Sequence, residues 1–213
     1  MKPILKFYNN MEPADGRIFY SFNDIVSEWS DYRLQVRKNY INWLFPSEND
    51  TKTRLTSEVI YKFKTNRNLR ANIAKAVIRM MLFFGYTVDM KTMMPIQVGD
   101  LKREENHVII GFYNPDNYAY ITRILHFLEV VKMPELSAIF FHMICMAMHA
   151  NPDLKQLINN KNVISTWVKT QSYLEKERYK AEESLAGAAL EDWEKTYEEP
   201  SETVAKIKDA WDE

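Results

Sequence analysis

The segment PELSAIFFHMICMAMHA, residues 134–150, constrains the fold of this chain more than any other. Proline is pre-set for the first helical position, and the residues after it are apolar nearly all round. The run AIFFHMICMAMHA is too short to span a bilayer and contains histidines, so the segment reads as a central buried helix. Composition favours more helices around it. Only 5 glycines occur in 213 residues, which argues against a turn-rich β fold and against phosphate-cradling loops.

Start and stop signals divide the remainder. Ser21 with Asp24 resembles a capping box, and Asp31 opens YRLQVRKNYINWLF, where Leu34, Ile41 and Leu44 share a face. Pro46 stops that helix before a polar loop, so at least one of Trp43 and Phe45 is expected to be buried. Thr56 or Ser57 caps EVIYKFK. Asn66 introduces RNLRANIAKAVIRMMLFFG, with Gly85 as its stop. Asn114-Pro115 and Asn151-Pro152 are caps followed by proline. MMPIQVG and HVIIGFY are β-prone and flank the charged DLKREEN, which predicts a small hairpin near 93–113. From Val163 a helix is expected to run on to Pro200, with Ser201 restarting a last one. The expected architecture is all-α: a compact domain of seven to eight helices over 1–172, then an acidic helical extension over 173–213.

The net charge of -1 conceals an asymmetry. Residues 174–213 hold 13 acidic and 6 basic side chains, and residues 1–173 hold 16 acidic and 22 basic. A basic body with an acidic extension suggests docking of one on the other, or two differently charged partners. The plainer reading is a solvated acidic helix that aids solubility. The body's basic series is Lys62, Lys64, Arg67, Arg70, Lys75 and Arg79, with no acidic residue between 59 and 88. Such a stripe can grip an acidic protein segment or nucleic-acid phosphates, or be an ordinary solvated face.

Catalytic and metal chemistry find little support. His142, Cys145 and His149 share one helical face at i, i+3 and i+7, and His126 or His107 could supply a fourth ligand. The same spacing is the ordinary core-facing stripe, with Met143, Met146 and Met148 as packing. Cys145 reads as an inert buried thiol. No nucleophile elbow, phosphate loop, dinucleotide fingerprint or His-Glu-x-x-His is present. The chain is therefore expected to be no enzyme and to hold no metal or cofactor. The lone cysteine suits a reducing compartment, and MKPILKFYNN is no secretory signal. The expectation is a soluble intracellular protein, cytoplasmic or assembly-associated, with nucleus, cilium and mitochondrion left open.

Phe7-Tyr8, Trp29 before SDYRLQ, NYINWLFP (39–46), LTSEVIYKF (55–63), MLFFGY (81–86), ITRIL (121–125) and STW (165–167) occur in that order. Together they resemble the conserved region of opioid growth factor receptor proteins over roughly residues 5–170. The resemblance implies a helical fold with Trp43, Leu44, Phe45, Pro46 and Arg123 as structural motif residues. Independently, Arg123, flanked by apolar residues, has the reach to cross a core to a carboxylate or to helix-end carbonyls. The family usually carries a Glu and a His shortly before Trp-Leu-Phe-Pro, where this chain reads Gln35 and Arg37 to Asn39. It also tends to have a His-Asn pair before ITRIL, where Asp116-Asn117 stands. Animal members bind an opioid peptide and act at the nucleus; only fold and interaction role are carried over.

The leading expectation is a non-enzymatic protein-interaction module, a scaffold subunit of a larger assembly, with Trp193 and Trp211 anchoring the extension to partners. The alternatives are a nucleic-acid-associated regulator using the basic stripe, and a receptor for a short peptide or small ligand.

Overall fold

The structure, a computed structural model, describes residues 1–11, 20–161 and 163–169. Among them the fold is helical, with nine α-helical segments and two small antiparallel strand pairs. The helices are α1 (Pro3–Tyr8), α2 (Asp31–Val36), α3 (Ile41–Leu44), α4 (Ser57–Thr65), α5 (Arg67–Phe83), α6 (Tyr118–Val130), α7 (Pro134–Ala150), α8 (Pro152–Asn159) and α9 (Ile164–Lys169). The all-α expectation holds.

α7 is the axis of the domain. From Leu136 to Met148 every residue but Met146 is buried, and α5, α6 and α8 pack on it. α6 and α7 are joined by a tight turn in which Lys132 adopts φ 57°, and α9 closes over α6. A second cluster surrounds α1. Phe7 and Tyr8 meet Phe22, Trp43 and Phe63 in ring contacts with centroids 4.9–5.7 Å apart. Such aromatic pairs add about 0.5–1.5 kcal/mol beyond their burial.

Local signals account for most helix starts. Ser21 and Asp24 exchange reciprocal cap bonds of 2.7 and 3.1 Å. They open a turn that continues as one π-helical turn, Asp24–Glu28. Thr56 Oγ1 accepts from the Val59 amide, and Asn66 Oδ1 from the Leu69 amide. Asn114 caps a short 3-10 turn, Pro115–Asn117, that runs into α6. Asn151 differs from expectation. It holds the N-cap position of α8 and its carbonyl accepts from the Lys155 amide at 3.0 Å, but its side-chain amide donates back to the Ala147 carbonyl at 2.9 Å, so it also closes α7.

One expectation needs correction. The helix predicted from Asp31 through Phe45 breaks at Arg37 (φ −104°, ψ 76°) and resumes through a 3-10 turn, Lys38–Tyr40, before α3. Gln35 and Tyr40 are both buried, yet on one straight helix they would point about 140° apart. The break lets each face its own partner. The small hairpin expected near 93–113 is present, and a second one begins before it, each of the two β-prone segments having its own partner strand. β1 (Tyr86–Val88) pairs with β2 (Pro95–Gln97), and β3 (Arg103–Glu105) pairs with β4 (Val108–Ile110). Asn106 and His107 take φ 49° and 61°, the backbone of a tight two-residue hairpin turn. Gly85, at φ +89°, ends α5 and feeds β1 directly; a Cβ there would sit 2.9 Å from Leu101.

The helix expected from Val163 is seen as α9 up to Lys169; its continuation to Pro200, the domain boundary at 172 and the final helix lie outside the described residues. Among the described residues no helix is long and apolar enough to cross a membrane.

Candidate interaction surface

The two helices that carry the basic series meet at an elbow. Asn66 is extended (φ −94°, ψ 115°), so α4 ends and α5 begins with a change of direction. Lys62 and Lys64 lie in the last turn of α4, where the helix dipole favours cations. Arg67 is the first residue of α5, and that helix has no acidic residue in its first turn. A cation there opposes the dipole, at a cost of about 0.3–1 kcal/mol.

Exposure then sorts the series. Lys62, Lys64, Arg67 and Lys75 are exposed and Arg70 is half-buried. Arg67, Ala71 and Lys75 form one exposed row at i, i+4 and i+8, with the small alanine leaving a shallow step between the two cations. Arg70 Nη1 lies 3.4 Å from the Lys132 carbonyl, so the turn between α6 and α7 brings exposed Lys132 to the same surface. Sequence reasoning missed Lys132, which lies 62 residues away in the chain. It also missed Tyr61, which is 63% exposed beside Lys62. A tyrosine next to a lysine in a helix was the available signal.

Arg79 does not belong to this surface, and its place in the stripe is corrected. It is only 8% exposed. Its guanidinium lies 2.9 Å from Asp31 Oδ1 and donates to the Trp29 carbonyl at 2.7 Å. Arg103 from β3 holds the other oxygen of Asp31 and the Phe83 carbonyl. The three side chains therefore tie α2, α5 and β3 together. Arg79 lies twelve positions, hence 120°, around α5 from Arg67, which turns it towards α2.

The motif residues are structural. Leu44, Phe45 and Pro46 are buried and Trp43 is partly buried against Phe7. The Tyr8 hydroxyl donates to the Leu44 carbonyl. Phe45 stacks edge-on against Phe127 at 5.8 Å. Arg123 donates from Nε to the Phe45 carbonyl at 2.5 Å and from Nη2 to Asp50. Asp50 also accepts from the Ser47 amide and the Thr53 hydroxyl. Burial pushes the Asp50 carboxyl up, but the hydrogen bonds from Arg123, Ser47 and Thr53, together with the guanidinium charge, hold it below its usual range. Arg123 thus does what its sequence setting suggested, reaching a helix-end carbonyl and a carboxylate at once.

The histidine face of α7 divides. His142 and Cys145 are buried and His149 is exposed. Burial lowers the His142 pKa to about 4, which keeps the imidazole neutral near pH 7. Among the described residues, no three His, Cys, Asp or Glu side chains converge as a metal site requires. Trp193 and Trp211 lie outside the described residues.

A helical domain locked by buried and half-buried arginines, with a basic face on two of its helices, is the class that fold and surface define. Within that class the chain belongs to the opioid growth factor receptor (OGFr) conserved-region family, whose model matches residues 2–182. The match extends past the 5–170 that the motifs alone delimited. No curated protein and no solved structure matches the chain.

Proposed function

We propose that this protein is a non-enzymatic interaction module, a scaffold subunit of a larger assembly, and that it receives acidic protein segments on the α4–α5 face. The carrying observation is the exposed set Lys62, Lys64, Arg67 and Lys75 on a stretch with no acidic residue from 59 to 88. Family membership supports an interaction role. Arg79, Arg103 and Arg123 are committed to holding the fold, whereas Lys62, Lys64 and Lys75 face outwards. Charges at such a face speed encounter and select partner sign more than they add raw affinity.

Exposed Tyr61 beside Lys62 favours a second reading, single-stranded nucleic acid, because base stacking on an aromatic adds to phosphate contacts. One experiment separates the two. The full chain and its Lys62→Glu/Lys64→Glu/Lys75→Glu variant are titrated with labelled poly-glutamate peptide and with oligo-thymidine. The tagged forms are also purified from native cells under mild salt. Peptide binding and a defined partner set, both lost in the variant, are expected. Oligo-thymidine binding that Tyr61→Ala weakens would move the function to nucleic acid. A solitary chain that binds neither probe would overturn the module reading.

A further inference from the structure

We infer that residues 182–202 of the same chain occupy the α4–α5 basic face in cis and have to be displaced before an acidic partner can bind there. The inference rests on the reading of that face as an acidic-segment surface, and it names a resident competitor for it.

Charge complementarity is the first argument. Residues 182–202 carry eight acidic side chains (Glu182, Glu183, Glu191, Asp192, Glu194, Glu198, Glu199 and Glu202) and one basic one, Lys195. No other stretch of this length is as acidic, and no other stretch of the body is as long and as free of acidic residues as 59–88. The two extremes of the charge pattern match in sign.

Tethering is the second. The described chain ends at Lys169 in α9, and α9 is fastened to α6 by a bond from Trp167 Nε1 to Thr122 Oγ1 at 2.7 Å. The far end of α6 leads to Lys132, whose carbonyl meets Arg70 of the basic face. Eight residues of helix, about 12 Å, separate Thr122 from Val130, and Lys132 follows two residues on in the turn. Thirteen residues separate Lys169 from Glu182, a contour of up to about 43 Å. The acidic stretch therefore begins within reach of the face. Attachment gives it an effective concentration in the millimolar range, which lets individually weak exposed ion pairs act together.

A contact of this kind is ionic and weakens as salt rises. An external acidic segment has to bind more tightly than its tethered rival, and only then does the stretch become available to contacts of its own. The face would thus exchange one acidic occupant for another.

The test uses the full chain and a zero-length carbodiimide, which joins a lysine to a carboxylate only when they touch. Peptide mapping should find Lys62, Lys64 or Lys75 joined to carboxylates of 182–202. Lys38 and Asp116, 3.0 Å apart on the body, provide the internal positive control. Mixing isotopically light and heavy chains before coupling should give no hybrid products. The tail products should fall about tenfold in about 0.5 M salt, where the Debye length is only a few ångströms. Extension carboxylates joined elsewhere, or to nothing, while Lys38–Asp116 forms, would overturn the inference. So would hybrid products, which would assign the occupant to a second copy. Replacing the eight acidic residues of 182–202 by their amides should tighten poly-glutamate binding about tenfold. Unchanged binding by that variant would leave the module reading standing and remove the resident competitor. Cross-links without any poly-glutamate binding would do the reverse.

Discussion

Gln35 and Asn117 stand 82 residues apart in the chain and exchange two amide hydrogen bonds inside the core, at 3.1 and 2.8 Å. Asn117 also donates to the Gly111 carbonyl at 2.8 Å. Gln35 lies where the family usually carries other residues, and neighbouring departures pair too: Lys38 meets Asp116 at 3.0 Å. The seam between α2 and the Asn114-Pro115 turn is thus joined by one buried amide pair and one surface ion pair. Because each amide in the buried pair is both donor and acceptor, neither residue can be truncated without orphaning the other.

Gln35→Ala is expected to cost about 1–3 kcal/mol, the range for leaving a buried polar partner unsatisfied. Asn117→Ala should cost more, since it also strips the Gly111 carbonyl. The double variant should cost less than the sum of the singles. Urea unfolding of all three measures it; strict additivity would show that the two amides do not act as a pair.

Asp50 gives an acid-side dependence. Its folded pKa lies below the ordinary value of 3.8, so the stability it contributes is present above the unfolded pKa and is lost as pH falls through the folded one. Asp50→Asn should therefore destabilise by about 3 kcal/mol near neutrality, with the difference from the parent shrinking below about pH 4. Arg123→Lys should not rescue, because one ammonium cannot reproduce the guanidinium's simultaneous bonds to Phe45 and Asp50. Denaturant midpoints across pH test both statements.

Arg79 and Lys75 are one turn apart yet should behave oppositely. Arg79→Met removes a partner of Asp31 and of the Trp29 carbonyl, at an expected cost of about 3 kcal/mol. Lys75→Glu should change stability by no more than about 0.5 kcal/mol while weakening acidic-peptide binding. Thermal unfolding beside peptide titration separates them, and a Lys75 variant as unstable as the Arg79 one would contradict the exposure assignment.

His142 acts in a different pH window. Its folded pKa of about 4 lies below the ordinary 6.5, so the unfolded chain takes up the proton first. Stability is then lost as pH falls from about 6.5 towards 4, by up to about 3 kcal/mol for this side chain. His142→Asn should flatten that slope without altering the Asp50 window below it. An unchanged slope would assign the loss to other groups.

Helix starts were legible because they depend on a few adjacent residues: Thr56 and Asn66 cap where their sequence placed them. The buried axis was legible from its apolar surface alone. What escaped was set by contacts between distant segments. The break at Arg37 exists because Gln35 answers to Asn117 and Tyr40 to Trp29 and Tyr120, and no local rule encodes that. The β3–β4 turn lacked the usual Asn-Gly signal, having Asn106-His107 instead. Arg79 kept the basic spacing of the stripe, yet Asp31 drew it into the interior. Its charge was visible in the sequence and its partner was not.

The first helix has a consequence for how the domain comes apart. Chain ends ordinarily fray, but Phe7 and Tyr8 are fully buried, the Tyr8 hydroxyl holds Leu44, and the Tyr8 carbonyl accepts from Asn72 at 2.7 Å. For residues 4–8, local opening and global opening become the same event, so their amides should exchange only when the whole core does. What α1 confers is cooperativity: it couples residues 4–8 to segments far along the sequence, so that they unfold together.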